Sequence, residues 1–441
     1  MFARSKYVCL CLTLFVTARW SHLSAADSKP SQPNIIFILA DDYGTGEVGC
    51  YGADNYKTPH IDALAAGGMR FTRAYTAPLC GPSRALILTG RYPFRTGATN
   101  QDATGRMSPE RETMMPKILK QKGYVTSCVG KWGQLPLGPA EFGFDDYLKF
   151  KGSGAYWNTQ PKANSYEVNG KSVKLRDNEY LPDVMHDHVT AFITANREKP
   201  FYLYYSLSHV HAEILPTPDS VPGSKDLYAD NVSYMDKLVG KLSGLLDQLK
   251  LRDNTLIVFF GDNGSATGRA KRATIGGQAL SGSKGSMQEG GSLVPLIVNW
   301  PGKTPAGVVS HDLVNATDFV PTFAALAGAQ LPEKTVIDGH SFLSQIRGEK
   351  GTPREWMFNQ LAGMWYVRDA NWKLNQAGEL FDMSGAPFTE TLVPLETNDP
   401  AAKAARSRLQ AVLAKLDPGS GIVDDGNGTG RHANRKKDKA R

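Results

Sequence analysis

Asp41-Asp42 and Asp262-Asn263 are two oxygen-bearing pairs, each directly after an apolar run: Asn34-Ile35-Ile36-Phe37-Ile38-Leu39-Ala40 and Thr255-Leu256-Ile257-Val258-Phe259-Phe260-Gly261. Oxygen donors of this kind suit a hard divalent cation, calcium or magnesium, rather than zinc. Acidic residues after strands also serve as turn formers and helix caps, so either pair alone is ambiguous. Two pairs at the ends of two core-type runs point to a metal. A third run, Phe201-Tyr202-Leu203-Tyr204-Tyr205-Ser206-Leu207, leads into Ser208-His209-Val210-His211. Its two imidazoles are candidates for proton transfer or for capping.

Of the five cysteines, Cys9 and Cys11 fall in an apolar N-terminal stretch, leaving Cys50, Cys80 and Cys128. An odd number without metal-type spacing argues against a disulfide framework and leaves one thiol to explain. Cys80 stands in Pro78-Leu79-Cys80-Gly81-Pro82-Ser83-Arg84-Ala85-Leu86-Ile87-Leu88-Thr89-Gly90-Arg91. Its bland reading is a small buried thiol ahead of a Pro-capped helix.

Cys80-Gly81-Pro82-Ser83-Arg84 followed by Leu88-Thr89-Gly90-Arg91 resembles the signature of the formylglycine-dependent sulfatases, in the alkaline phosphatase superfamily. The resemblance runs from about Pro33 to Asp382. It takes in Thr58-Pro59-His60-Ile61-Asp62, Gly130-Lys131-Trp132, Gly261-Asp262-Asn263-Gly264, Lys284-Gly285, Glu289-Gly290-Gly291 and Glu379-Leu380-Phe381-Asp382, in the family's order. It implies that a maturation enzyme oxidises Cys80 to an aldehyde, formylglycine, whose hydrated form presents a hydroxyl nucleophile. It further implies that Asp41, Asp42, Asp262 and Asn263 bind calcium, with magnesium as the alternative, together with an oxygen of the modified Cys80. Arg84 would then hold the hydrated aldehyde, Lys131 and Lys284 would contact the sulfate, and His211, with His209 as its competitor, would serve the departing alcohol. Two positions depart from the pattern: Gly133 stands where many members carry His, and Leu293 where many carry Arg.

Elements to position these groups are visible in the periodicity. Continuous β-type apolar runs that stop at polar residues belong to parallel strands buried on both faces. Tyr124-Val125-Thr126-Ser127-Cys128-Val129 is a further strand. Helical stretches lie between, one over Thr58 to Ala66 with a Thr cap, an early Pro and Gly67-Gly68 at its end, another from Thr113 to Gly123. The alternation predicts an α/β fold, a mostly parallel central sheet with helices on both faces and sites at the carboxyl ends of the strands. Beyond Gly348 short aromatic strands (Met364 to Arg368, Trp372 to Leu374, Glu379 to Asp382) and a helix over Pro400 to Leu416 predict a small C-terminal antiparallel α+β subdomain.

The 441 residues, 41% hydrophobic and 21% charged, fit a globular protein with a sizeable core rather than a fibrous one. Arg4 and Lys6, the apolar run from Tyr7 to Val16 and Ser24-Ala25-Ala26 read as a secretory signal peptide, too short to span a bilayer. The expected organisation is a leader over 1–26, a catalytic domain over 27–347, the small subdomain over 348–417 and a disordered basic tail over 418–441. Such a chain is exported, to the periplasm or beyond, and has no transmembrane segment. The net charge of +7 owes much to that tail, and no nucleic-acid motif accompanies it. A sulfated small molecule or polysaccharide is the expected substrate, with Arg269, Lys271, Arg272 and Tyr156-Trp157 as a candidate rim. A phosphatase or phosphonate-ester hydrolase of the same superfamily, and a catalytically weak sulfated-saccharide-binding protein, are the rival readings.

Overall fold

A computed structural model describes residues 1–2, 32–133, 135 and 137–422. The expected leader beyond its first two residues, and the basic tail past Ile422, lie outside the described residues. The packed chain enters the stretch expected as tail: Pro418 is buried, and the Ile422 amide donates to Phe94 O at 2.7 Å. Among the described residues no helix is long and apolar enough to cross a membrane.

In chain order the strands are β1 (Asn34–Ala40), β2 (Met69–Tyr75), β3 (Val125–Lys131), β4 (Asp146–Phe150), β5 (Ser165–Val168), β6 (Lys171–Lys174), β7 (Phe201–Ser206), β8 (Thr255–Gly261), β9 (Thr274–Ile275), β10 (Gln278–Ala279), β11 (Leu296–Asn299) and β12 (Val308–Asn315). Ten of them form one sheet in the order β12-β2-β11-β8-β1-β7-β3-β4-β5-β6, with β9 and β10 paired separately. Strands β8, β1, β7, β3 and β4 run parallel; β11 and the β5–β6 hairpin are antiparallel to their neighbours. Every residue of β1, β7 and β8 is buried, as strands covered on both faces require. One apolar layer puts Phe37 and Phe260 against Phe319 and Phe323; the other puts Ile36 and Ile38 with Tyr205, Met235 and Leu238.

Register delivers the site residues to one edge. Ala40 pairs with Gly261 and Leu39 with Ser206, while Gly130 also pairs with Ser206. The residues that follow β1, β7 and β8, and the last residue of β3, therefore meet at the carboxyl ends of adjacent parallel strands, where crossover connections leave a crevice.

Helix α1 (Pro59–Ala66) starts with Pro at its first turn, as read from the sequence, and stops at Gly67. Helix α2 (Cys80–Thr89) is buried along its whole length and ends at Gly90 in the left-handed region, φ 70°. The five strands β13 (Met357–Leu361), β14 (Met364–Arg368), β15 (Trp372–Asn375), β16 (Leu380–Asp382) and β17 (Thr391–Val393) form a separate antiparallel meander, backed by a helix over Pro400–Leu416.

Candidate active site

Cys80 is the first residue of α2, and Arg84 lies one turn later on the same face. The Ser83 hydroxyl fixes the entry turn by donating to Ala77 O at 2.8 Å and Leu79 O at 2.9 Å. The Cys80 thiol is 4% exposed and donates to Gln101 Oε1 at 3.2 Å. Burial pushes it above the ordinary thiol value, Lys131 opposing and Asp262 adding to the shift, so the unmodified side chain stays a protonated, weak nucleophile.

Behind it lies a buried cluster of alternating charge. Lys131 Nζ donates to both oxygens of Asp41 at 2.7 and 2.8 Å. Arg84 donates to Asp262 Oδ2 through Nε at 3.1 Å and Nη2 at 2.7 Å, and to Lys131 O at 2.8 Å. Lys284 Nζ donates to Asp42 Oδ2 at 2.7 Å. Asp262 Oδ1 accepts from the Asp42 amide at 3.0 Å, and Asn263 Nδ2 donates to Asp42 Oδ1 at 2.9 Å. Burial alone would raise the Asp41 carboxyl, but Lys131, helped by His211 and Arg84, holds it below its ordinary value. Burial works against the charge of Lys131 and Lys284, and Asp41 and Asp42 nevertheless keep both ammonium groups above their usual range.

The donor set fits a metal ion. Ligand atoms of Asp41, Cys80 and Asp262 lie within 4.8 Å of one another, as do those of Asp41, Asp42 and His211. Asn263 Oδ1 is buried and has no hydrogen-bond partner, an orphan acceptor of the kind a metal satisfies.

Above the cluster opens a cavity of about 600 Å³ lined by Cys80, Gln101, Lys151, Ser153, Lys162, His211 and Lys284 among others. The structure thus brings Cys80, His211 and Lys284 to the cavity wall, with Asp41, Asp42, Arg84, Lys131, Asp262 and Asn263 packed beneath. His209 is not among the lining residues. It is fully buried among Tyr156, Tyr180 and Tyr234, its Nε2 lies 2.9 Å from Tyr180 Oη, and its carbonyl accepts from the Asp41 amide at 2.7 Å. His209 supports the Asp41 loop, and His211 is the imidazole at the cavity.

The expected rim is elsewhere. Arg272 pairs with Asp226, Arg269 lies over the Tyr228 ring, and neither they nor Lys271 line the cavity. Tyr156 is fully buried and donates to Ser208 O and His211 O, so it braces the histidine segment instead of offering a platform. Lys151, Lys162, Gln101 and Ser153 escaped notice because they lie in loops with no periodic signal. Glu47 did too: buried, with burial pushing its carboxyl up to about 7, it accepts from the Gly44 amide and the Tyr228 hydroxyl and props the loop after Asp42.

Gly133 has φ 96°, and a Cβ there would sit 3.2 Å from Arg84 Cδ. It helps line a second cavity, of about 430 Å³, which shares Lys151 and Gly152 with the first. Leu293 is buried against Tyr75, Leu313, Met357 and Tyr366.

The sulfatase family model matches residues 33–329, a span that carries Cys80, the charge cluster and the cavity's cationic residues. The chain belongs to the sulfatase family. It is 35% identical to the N-acetylgalactosamine-6-sulfatase of Canis lupus familiaris over 75% of this chain and 69% of that protein. It is 32% identical to the arylsulfatase A of Homo sapiens over 87% of this chain and 81% of that one. A crystal structure of Ps i-CgsB in complex with k-i-k-neocarrahexaose superposes with a TM-score of 0.76 at 30% identity, covering 90% of this chain and 96% of the other. This sulfatase is accordingly a sulfuric ester hydrolase, and the family implies a metal ion and a formylglycine.

Proposed function

We propose that the chain hydrolyses sulfate monoesters of sulfated carbohydrates with a nucleophile made from Cys80. The observation that carries this reading is the placement of Cys80 at the wall of a cationic cavity, directly above a buried cluster with an orphan oxygen donor. The relatives' names support the substrate class. When bound, a calcium or magnesium ion held by Asp41, Asp42, Asp262 and Asn263 would supply charge at the ester oxygens, and formylglycine would supply a hydroxyl nucleophile in its hydrated form.

The chain's own residues do the rest. Lys284, at the cavity, meets the anionic ester and neutralises its equatorial oxygens, with Lys131 adding positive potential from beneath. Arg84 clamps Asp262 and the backbone of Lys131, which sets the floor against which the Cys80 side chain is oriented. His211 Nε2 lies 3.8 Å from Asp42 Oδ2 at the cavity edge, placed to give a proton to the departing sugar oxygen. The implied partner is a formylglycine-generating enzyme acting on the Cys80 segment, and the leader reading makes export its setting.

Sulfate release from an aryl sulfate and from a sulfated disaccharide, before and after chelation and metal return, tests the reading. Metal-restored release from both is expected. Turnover of phosphate mono- or diesters in preference to sulfate esters would instead favour the phosphatase reading.

A further inference from the structure

Arg84, Lys131 and Lys284 each have a carboxylate partner: Asp262, Asp41 and Asp42. Lys151 and Lys162 line the same cavity and, among the described residues, have no carboxylate within ion-pair distance; the Lys162 ammonium reaches only Ala212 O, at 3.5 Å. Among the described residues no carboxylate lines this first cavity, and Glu167 lines the second. Glu213 and Asp41 act on Lys162 only through space and Glu167 lines only the second cavity, so these two cations keep charge facing the first cavity that one sulfate, already met by Lys284 and the buried cluster, does not use.

Backbone geometry fixes where they stand. Lys151 directly follows Phe150, whose register partner is Lys131, so it sits at the same sheet edge, one strand out from the nucleophile's cluster. Lys162 touches the residue after His211, on the side where the alcohol leaves. Lys151 also lines the second cavity, with Trp132 and Tyr166, so the cleft continues past it.

Resting on the sulfatase reading above, we infer that Lys151 and Lys162 form a subsite for a second anionic group, a sulfate or a carboxylate, on the saccharide that carries the scissile ester. The preferred substrate is then a polyanionic saccharide rather than a singly sulfated one. Bound anion and cations pair in a partly desolvated cleft, and the preference weakens as salt screens it.

The test compares kcat/KM for a monosulfated disaccharide, its disulfated form and its uronate form, in wild type, Lys151→Gln/Lys162→Gln and Lys151→Arg/Lys162→Arg. Wild type should favour one or both dianionic forms by about tenfold, the Gln pair should bring that ratio to about one, and the Arg pair should keep it. The arm with the larger ratio identifies the second anion. A wild-type ratio of about one, or an unchanged ratio in the Gln pair, overturns the subsite while leaving sulfatase activity intact. If wild type releases sulfate from no ester, the reaction assignment fails instead, and calorimetric affinities of the same ligands for the same proteins still decide the subsite.

Discussion

Arg368 of β14 and Glu289 form a buried ion pair that ties the C-terminal sheet to the short helix after the Lys284 loop. Tyr75 Oη donates to Glu289 Oε2 at 2.8 Å and accepts from Arg368 Nη1 at 2.8 Å, closing the triad. Arg368→Ala should cost about 3–5 kcal/mol, because it strands a buried carboxylate, whereas Arg368→Met with Glu289→Leu should cost much less. Urea unfolding of the single and double variants checks this; equal losses would remove the pair from the account.

As a metal ligand, Asn263 should link stability to metal. Its Nδ2 has a partner and its Oδ1 has none within the protein, so Asn263→Ala should cost only about 1 kcal/mol in metal-free protein. Added calcium should raise Tm in wild type, by mass action on the folded state, and raise it much less in the variant. Equal calcium shifts in both proteins would show that Asn263 is not a ligand.

A proton-donating His211 should separate leaving groups. A sugar alkoxide needs a proton as it departs and an activated aryl oxide does not. His211→Ala should therefore lower kcat on a sulfated disaccharide by about a hundredfold or more, and on an activated aryl sulfate by far less. Equal losses on the two substrates would argue for a binding role alone.

Two buried histidines contribute to the acid limb of stability. Burial pushes His209 down to about 3, and burial with Lys241 pushes His186 down to about 4, from an ordinary 6.5. Both stay neutral in the folded chain at mildly acid pH, while the unfolded chain takes up their protons below about 6.5. The unfolded state binds more protons in that window, so stability falls as pH falls through it, by up to about 1.4 kcal/mol per unit for each histidine. The fall of Tm from pH 6.5 toward 4 should be shallower in His209→Gln than in wild type; parallel curves would contradict the assignment.

Much of the scaffold is legible in the sequence because burial on both faces writes an uninterrupted apolar run. Asn34–Ala40 and Thr255–Gly261 have the same bounds in both readings, and so has the helix Pro400–Leu416, marked by its leading Pro and spaced apolar residues. The pairs Asp41-Asp42 and Asp262-Asn263 follow those strands directly, so adjacent register brings them together. Histidines two residues apart carry no local sign of which faces the cavity: His209 is sorted inward by three tyrosines distant in sequence. Arg368 is likewise invisible from Glu289, since the pair spans 79 residues and joins a short helix to the C-terminal sheet. Lys151 and Lys162 are silent in the sequence for the opposite reason, their loops having no period to read, whereas the basic stretch near Arg272 stands out only because its charges are contiguous.

Mass spectrometry of the peptide carrying Cys80, on protein co-produced with a formylglycine-generating enzyme and assayed in parallel for sulfate release, tests the central claim most directly. The account predicts that the rate rises in proportion to the fraction of Cys80 converted to aldehyde and vanishes in Cys80→Ala. Full activity in protein whose Cys80 is entirely an unmodified thiol, or undiminished release by Cys80→Ala, would contradict it.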